Sequence, residues 1–104
     1  MKRIAFKMKL KEGCFAEYKR RHDAIWPELS ALLSNAGIVN YSIFFDPETN
    51  LLFAYQELKG TAGAQDQGAE PIVQKWWKYM ADIMDTNPDY SPVSVPLEQA
   101  FYMK

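Results

Sequence analysis

His22 is the only histidine in a chain of 104 residues, and it follows Tyr18 by four positions in the stretch YKRRHDAIWPELSALL, Tyr18 to Leu33. Imidazole is the side chain whose unperturbed pKa lies nearest neutrality, so it gives and takes a proton at little cost. Residues four apart on a helix share a face, and Tyr18 and His22 both fall in an apolar stripe with Phe15, Ile25, Leu29 and Leu32. On spacing alone His22 is either a core histidine satisfied by a hydrogen bond or a group placed for proton transfer. Pro27 lacks the N–H that would bond the carbonyl of Asp23, which predicts that the helix kinks or restarts there. The partial negative charge of the helix end would then favour a protonated His22.

A second group of polar-tipped side chains stands where plain hydrophobes would serve a core. Tyr41 lies in the alternating segment Ile38 to Phe45, and Trp76 and Trp77 are adjacent within QKWWKYMADIM, Gln74 to Met84. Adjacent helical positions diverge by about 100°. Either both indoles pack, or one enters the core while the other offers a flat apolar wall to a ligand. Aromatic walls, phenol hydroxyls and one histidine, with no cluster of charge, suit a small neutral polyhydroxylated ligand. Asp23, Glu28, Asp82 and Asp85 read as surface carboxylates, and Lys19, Arg20 and Arg21 as the solvated face of the helix.

The elements that must position these groups follow from periodicity. Ile4, Phe6, Met8 and Leu10 alternate with Arg3, Lys7 and Lys9, as a half-buried strand requires. After the Lys11-Glu12-Gly13 turn the period becomes helical. A second strand spans Ile38 to Phe45, with Val39, Tyr41, Ile43 and Phe45 on one face. Asp46 to Asn50 reads as a hairpin turn into a third strand, Leu51 to Leu58. Gly60 to Gly68, GTAGAQDQG, is a loop or weak helix start; Pro71 opens a helix whose apolar stripes run to Met84. Asn87 to Pro96 carries prolines at 88, 92 and 96 and predicts an extended connection able to cover a cavity, with a last strand over Leu97 to Met103.

This order, β-α-β-β-α-β, is that of a ferredoxin-like α+β fold, one domain over residues 1–104 with an antiparallel sheet and both helices on one face. The uncovered face still carries aromatics, and a second copy packed against it, or exchanging edge strands, would give the dimeric α/β-barrel type of assembly.

Composition narrows the function. Twelve basic and 13 acidic residues nearly cancel, so the concentrated positive charge that nucleic acid or an anionic membrane requires is missing. The lone Cys14 with one histidine supplies neither an internal disulfide nor a structural zinc site. No phosphate-cradling or dinucleotide-binding glycine pattern occurs. Charges interrupt the apolar residues at the N-terminus, no stretch reaches bilayer length, and a cytoplasmic location is expected.

The blocks EYKRRHDAIWPEL (Glu17 to Leu29), NYSIFFDPETNLLFAY (Asn40 to Tyr55), QKWWKYMADIM (Gln74 to Met84) and NPDYSPVS (Asn87 to Ser94) together resemble the L-rhamnose mutarotase family, in order and over nearly the whole chain. Only Gly60 to Gly68 departs, being richer in glycine. The resemblance implies a ferredoxin-like homodimer that interconverts the α and β anomers of L-rhamnose in sugar catabolism, with neither metal nor nucleotide cofactor. It places His22 as proton donor and Tyr18, Tyr41, Trp76 and Trp77 as sugar-contacting residues. Two other functions share the fold class: a non-catalytic sugar-binding or regulatory module, and a cofactor-free oxygenase.

Overall fold

Alternation along the chain builds the sheet. In the computed structural model, which describes residues 1–104, strand β1 (Lys2–Lys9) turns Phe6 and Met8 inward, and Leu10 continues the inward row. Strand β3 (Leu51–Leu58) does the same with Leu52, Ala54, Gln56 and Leu58. The two pair antiparallel, with Phe6 opposite Ala54 and Met8 opposite Leu52. Strand β2 (Ile38–Asp46) flanks β3 and the short β4 (Ser94–Leu97) flanks β1, so the order is β2-β3-β1-β4 and every pairing is antiparallel. This is the ferredoxin-like arrangement. The sheet is open and does not close on itself as a barrel.

The hairpin joining β2 to β3 turns where the sequence predicts. Asp46 accepts from the Glu48 N–H and the Thr49 hydroxyl, and Asn50 takes the left-handed conformation at φ 60°. That pattern is the turn chemistry expected of Asp and Asn. β2 departs from simple alternation. Ile38 pairs with Leu58 and Val39 with Glu57, but Ser42 pairs with Tyr55, so Asn40 and Tyr41 together oppose Gln56 in a β-bulge. Asn40 sits at φ 49°, which asparagine tolerates, and its amide donates to Glu57. The bulge corrects the expected face: Ile38, rather than Val39, joins Tyr41 on the inward side, buried with Leu58 and Ala64.

Pro27 restarts the first helix. Helix α1 (Phe15–Asp23) ends in a tightened turn, with the Ala24 N–H bonded to the Arg20 carbonyl and the Ile25 N–H to that of His22. Trp26 is extended, as a residue before proline is inclined to be, and Pro27 takes the first position of α2 (Pro27–Asn35). Pro71 opens α3 (Pro71–Met80) in the same way. Helix α3 stops four residues earlier than its apolar stripe, because Met84 leaves the helix to form a bridge with Leu10.

The end of the chain differs from expectation. The last strand is Ser94–Leu97 rather than Leu97–Met103, and residues 98–104 have no regular structure. Proline does not disqualify Pro96, because β4 is an edge strand paired on one side only.

The helices cover one sheet face. Tyr18, Leu29, Val73, Trp76, Trp77 and Met80 pack there against Phe6, Met8, Leu52 and Ala54. On the other face, register aligns Phe44, Phe53, Lys7 and Val95 in one row and Ser42, Tyr55, Ala5 and Leu97 in the next. Phe44 is 70% exposed there.

Leu52 has no exposed surface and touches the centre of the core. Leu52→Ala is therefore expected to lower the unfolding free energy by about 2–5 kcal/mol in chemical denaturation, the usual cost of a lost side chain plus an unfilled cavity.

Candidate active site

A cavity of about 720 Å³ lies between the inward sheet face and the helices. Tyr18, His22, Tyr41, Trp76 and Trp77 all line it. The five side chains reach it from three elements: α1 carries Tyr18 and His22, the bulge of β2 carries Tyr41, and α3 carries both tryptophans. Its size is that of a site for a small organic molecule. No group of three or more His, Cys, Asp or Glu side chains is arranged to hold a metal ion.

His22 is held on three sides. Its Nδ1 lies 3.1 Å from the backbone carbonyl of Tyr18. A carbonyl only accepts, so Nδ1 carries the hydrogen and, in the neutral ring, Nε2 carries the lone pair. The imidazole stacks on the Tyr18 ring at 4.2 Å and meets Trp76 edge to face at 5.3 Å. Burial lowers its pKa from the ordinary 6.5; the Tyr18 carbonyl and the nearby Asp23 charge oppose this and lose. The expectation that the helix end would favour protonation is thereby corrected. Desolvation in an aromatic pocket outweighs the helix end, and the resting imidazole is neutral at pH 7.

The two phenols face the same space. Burial holds the Tyr18 hydroxyl well above the usual phenol range, with repulsion from Tyr41 adding to it. The Tyr41 phenol is pushed up to about 12 by burial, with the Gln56 amide beside it working in the opposite direction. Both remain protonated across the physiological range and serve as hydrogen-bond groups rather than bases.

Trp76 and Trp77 are both buried, each 8% exposed, so neither indole is spared from the core to serve the cavity alone. Trp76 is also wedged edge to face against Trp26, at 5.0 Å, and Trp26 in turn stacks on Tyr79. Trp77 is backed by the glycine-rich loop. A Cβ on Gly68 would fall 2.8 Å from the indole, closer than atoms tolerate. The loop itself forms a single 3₁₀ turn at Ala64–Asp66, fastened by the Gly63 N–H to Asp66 and by the Gln74 amide to the Gly68 carbonyl.

Sequence reasoning missed three contributors. Arg21, expected on the solvated face, is only 9% exposed. Its guanidinium bonds Glu17 at 2.7 Å, the Tyr79 carbonyl at 2.7 Å and Asp82 at 2.8 Å, tying α1 to the end of α3. Asp82, taken for a plain surface carboxylate, is the far end of that tie, and its pKa is lowered by Arg21. Gln56 is the third: it is wholly buried, at an inward position of β3. A polar residue in phase with Leu52, Ala54 and Leu58 was the signal that could have found it.

Fold and site together define a small ferredoxin-like α+β protein with one neutral imidazole in an aromatic-walled cavity. Comparison with known proteins makes this specific. A family model described as L-rhamnose mutarotase matches residues 3–103. An L-rhamnose mutarotase of Bacteroides thetaiotaomicron is 63% identical, the match covering 99% of both chains. One from Phocaeicola vulgatus is 60% identical over 99% of both. The crystal structure of an L-rhamnose mutarotase from Formosa agariphila covers 100% of both chains with a TM-score of 0.92 at 55% identity. The chain belongs to the L-rhamnose mutarotase family, a family of isomerases.

The direction of the His22 shift sets a pH dependence. Below about pH 6.5 the unfolded chain binds a proton on this histidine that the folded chain resists, so stability is full above that value and falls as pH drops. Between pH 7 and 5 the wild type should lose more stability than His22→Gln, measured by denaturant unfolding at each pH.

Proposed function

We propose that this protein interconverts the α and β anomers of L-rhamnose, in the catabolism of that sugar, with His22 moving the proton. The observation that carries the reading is the half-buried imidazole, tied through Nδ1 to the Tyr18 carbonyl, in the same cavity as two phenols and two indoles. Membership of the family supplies the substrate.

Opening the ring requires the anomeric hydroxyl to lose a proton and the ring oxygen to gain one. With Nδ1 occupied, Nε2 is the working nitrogen. Neutral Nε2 takes the anomeric proton, leaving an alkoxide, and donates that proton to the ring oxygen as the carbonyl forms and the bond from the ring oxygen to the anomeric carbon breaks. Both oxygens are attached to one carbon, so a single nitrogen reaches both. Rotation about the neighbouring carbon–carbon bond presents the other face of the aldehyde, and the same transfers in reverse close the ring. The imidazolium formed between the two transfers is a stronger acid than an ordinary one, because burial opposes its charge. Tyr18 and Tyr41 hold sugar oxygens, while Trp76 and Trp77 wall the apolar side of the ring.

Anomer exchange also proceeds in water, so one positioned acid/base group is sufficient catalysis, at about 10²–10⁴-fold. His22→Gln should remove about that factor from the exchange rate of L-rhamnose measured by NMR, with the folded spectrum retained. An unchanged rate would refute the assignment, and a protein that binds the sugar without speeding exchange would be a binding module instead.

The functional unit we infer is a homodimer of single-domain chains, each spanning residues 1–104, working in the cytoplasm. No helix is long and apolar enough to cross a membrane. The support for self-association is the bare sheet face, where Phe44, Phe53, Val95 and Leu97 are exposed in register. Sedimentation of the wild type should give twice the chain mass, and the Phe44→Glu, Phe53→Glu double variant should sediment as a monomer.

A further inference from the structure

The mechanism leaves one buried group without a task. Gln56 has no exposed surface, and its Nε2 is the one buried side-chain nitrogen or oxygen lacking a hydrogen-bond partner. An unmatched amide at such depth is costly, so its retention calls for a use.

The other end of the amide is fixed. Oε1 accepts from the backbone N–H of Ala64 at 3.2 Å, at the head of the 3₁₀ turn. That bond decides which way round the amide lies, because the acceptor must face the N–H. Nε2 consequently points away from the loop. Gly63 closes over the oxygen so tightly that a Cβ there would come within 2.8 Å of it.

Tyr41 occupies the neighbouring space. The bulge sets Asn40 and Tyr41 opposite Gln56, and Tyr41 packs against the small cluster of Ile38, Leu58 and Ala64 from which the Oε1 bond arises. Strand, loop and phenol therefore converge on one amide. Without the bulge, an alternating strand would place only one residue opposite Gln56, and Tyr41 would lose its present phase.

We propose that Gln56 is a positioning residue for the sugar site: when Tyr41 engages a sugar, the Gln56 Nε2, otherwise without a partner, donates a hydrogen bond to the phenol oxygen and so directs the Tyr41 hydroxyl proton toward a sugar oxygen. A phenol that already accepts one bond is a better donor of its own. Tyr41 thus binds as a donor, complementary to the lone pairs of a sugar hydroxyl. The inference deepens the mutarotase reading and rests on it for the identity of the ligand.

The test is a double-mutant cycle on anomer exchange of L-rhamnose, combined with NMR of the Gln56 side-chain amide. Gln56→Met keeps the length and removes the donor; it should lower kcat/KM about tenfold, the value of one well-placed hydrogen bond. In a Tyr41→Phe background the same change should cost less than about twofold. An equal loss in both backgrounds would overturn the proposal and assign Gln56 to holding the loop alone. The amide signals give a readout independent of catalysis and need only the Tyr41→Phe and Tyr18→Phe chains. With L-rhamnose bound, Tyr41→Phe should shift the Gln56 NH₂ resonances and Tyr18→Phe should leave them in place; resonances that ignore Tyr41→Phe would equally overturn it. Failure of the mutarotase reading is separately visible, as a wild type that accelerates no exchange while the amide shift persists.

Discussion

The guanidinium of Arg21 joins the two halves of the site. α1 contributes Tyr18 and His22, and α3 contributes Trp76 and Trp77, yet the two helices are separated in sequence by half the chain. Arg21 reaches from the first to the Tyr79 carbonyl and Asp82 at the end of the second, and lies over the Tyr79 ring at 4.4 Å. A planar fork with several donors can satisfy a carbonyl and two carboxylates together, which a lysine in its place could not. The arrangement sets the spacing between the imidazole and the indole that meets it edge to face. Trp26 braces the same indole from the opposite side of the helix break.

Packing and chemistry make opposed demands on this core. Close packing favours filling the space between sheet and helices, whereas a sugar site needs it open. Rings resolve the conflict, because a stacked or edge-to-face aromatic pair is rigid without being dense on every side. Tyr18 against His22, His22 against Trp76 and Trp26 against Trp76 form a continuous wall that stands without support from within the cavity. The same enclosure strips water from His22 and keeps it neutral, so the shape of the cavity and the protonation of its one imidazole have one cause.

Strand alternation and proline placement carried most of the fold into the sequence. β1, β3 and the restart at Pro27 were legible because each depends on local periodicity or on a missing N–H. The residues of the cavity were legible in a different way: spacing put Tyr18 and His22 on one face, but only the family pattern chose proton transfer over a satisfied core histidine. What escaped was non-local. The bulge at Asn40–Tyr41 shifts the phase of β2 by one residue and cannot be seen until β3 is laid beside it. Arg21 looked solvated because its partners Asp82 and the Tyr79 carbonyl lie about sixty residues away. The last strand was misplaced by the prolines, whose prohibition applies to a strand paired on both sides and lapses at an edge.

Gly63 gives the loop a history as well as a shape. With a Cβ at this position falling 2.8 Å from the Gln56 amide oxygen and 2.9 Å from Ile4, residues 56 and 63 are not free to drift separately. A larger residue at 63 requires both the Gln56 amide and the end of the Ile4 side chain to give way, so positions 4, 56 and 63 are coupled. Across descendants of this sequence, lineages that keep both the amide and the isoleucine should keep the glycine with them.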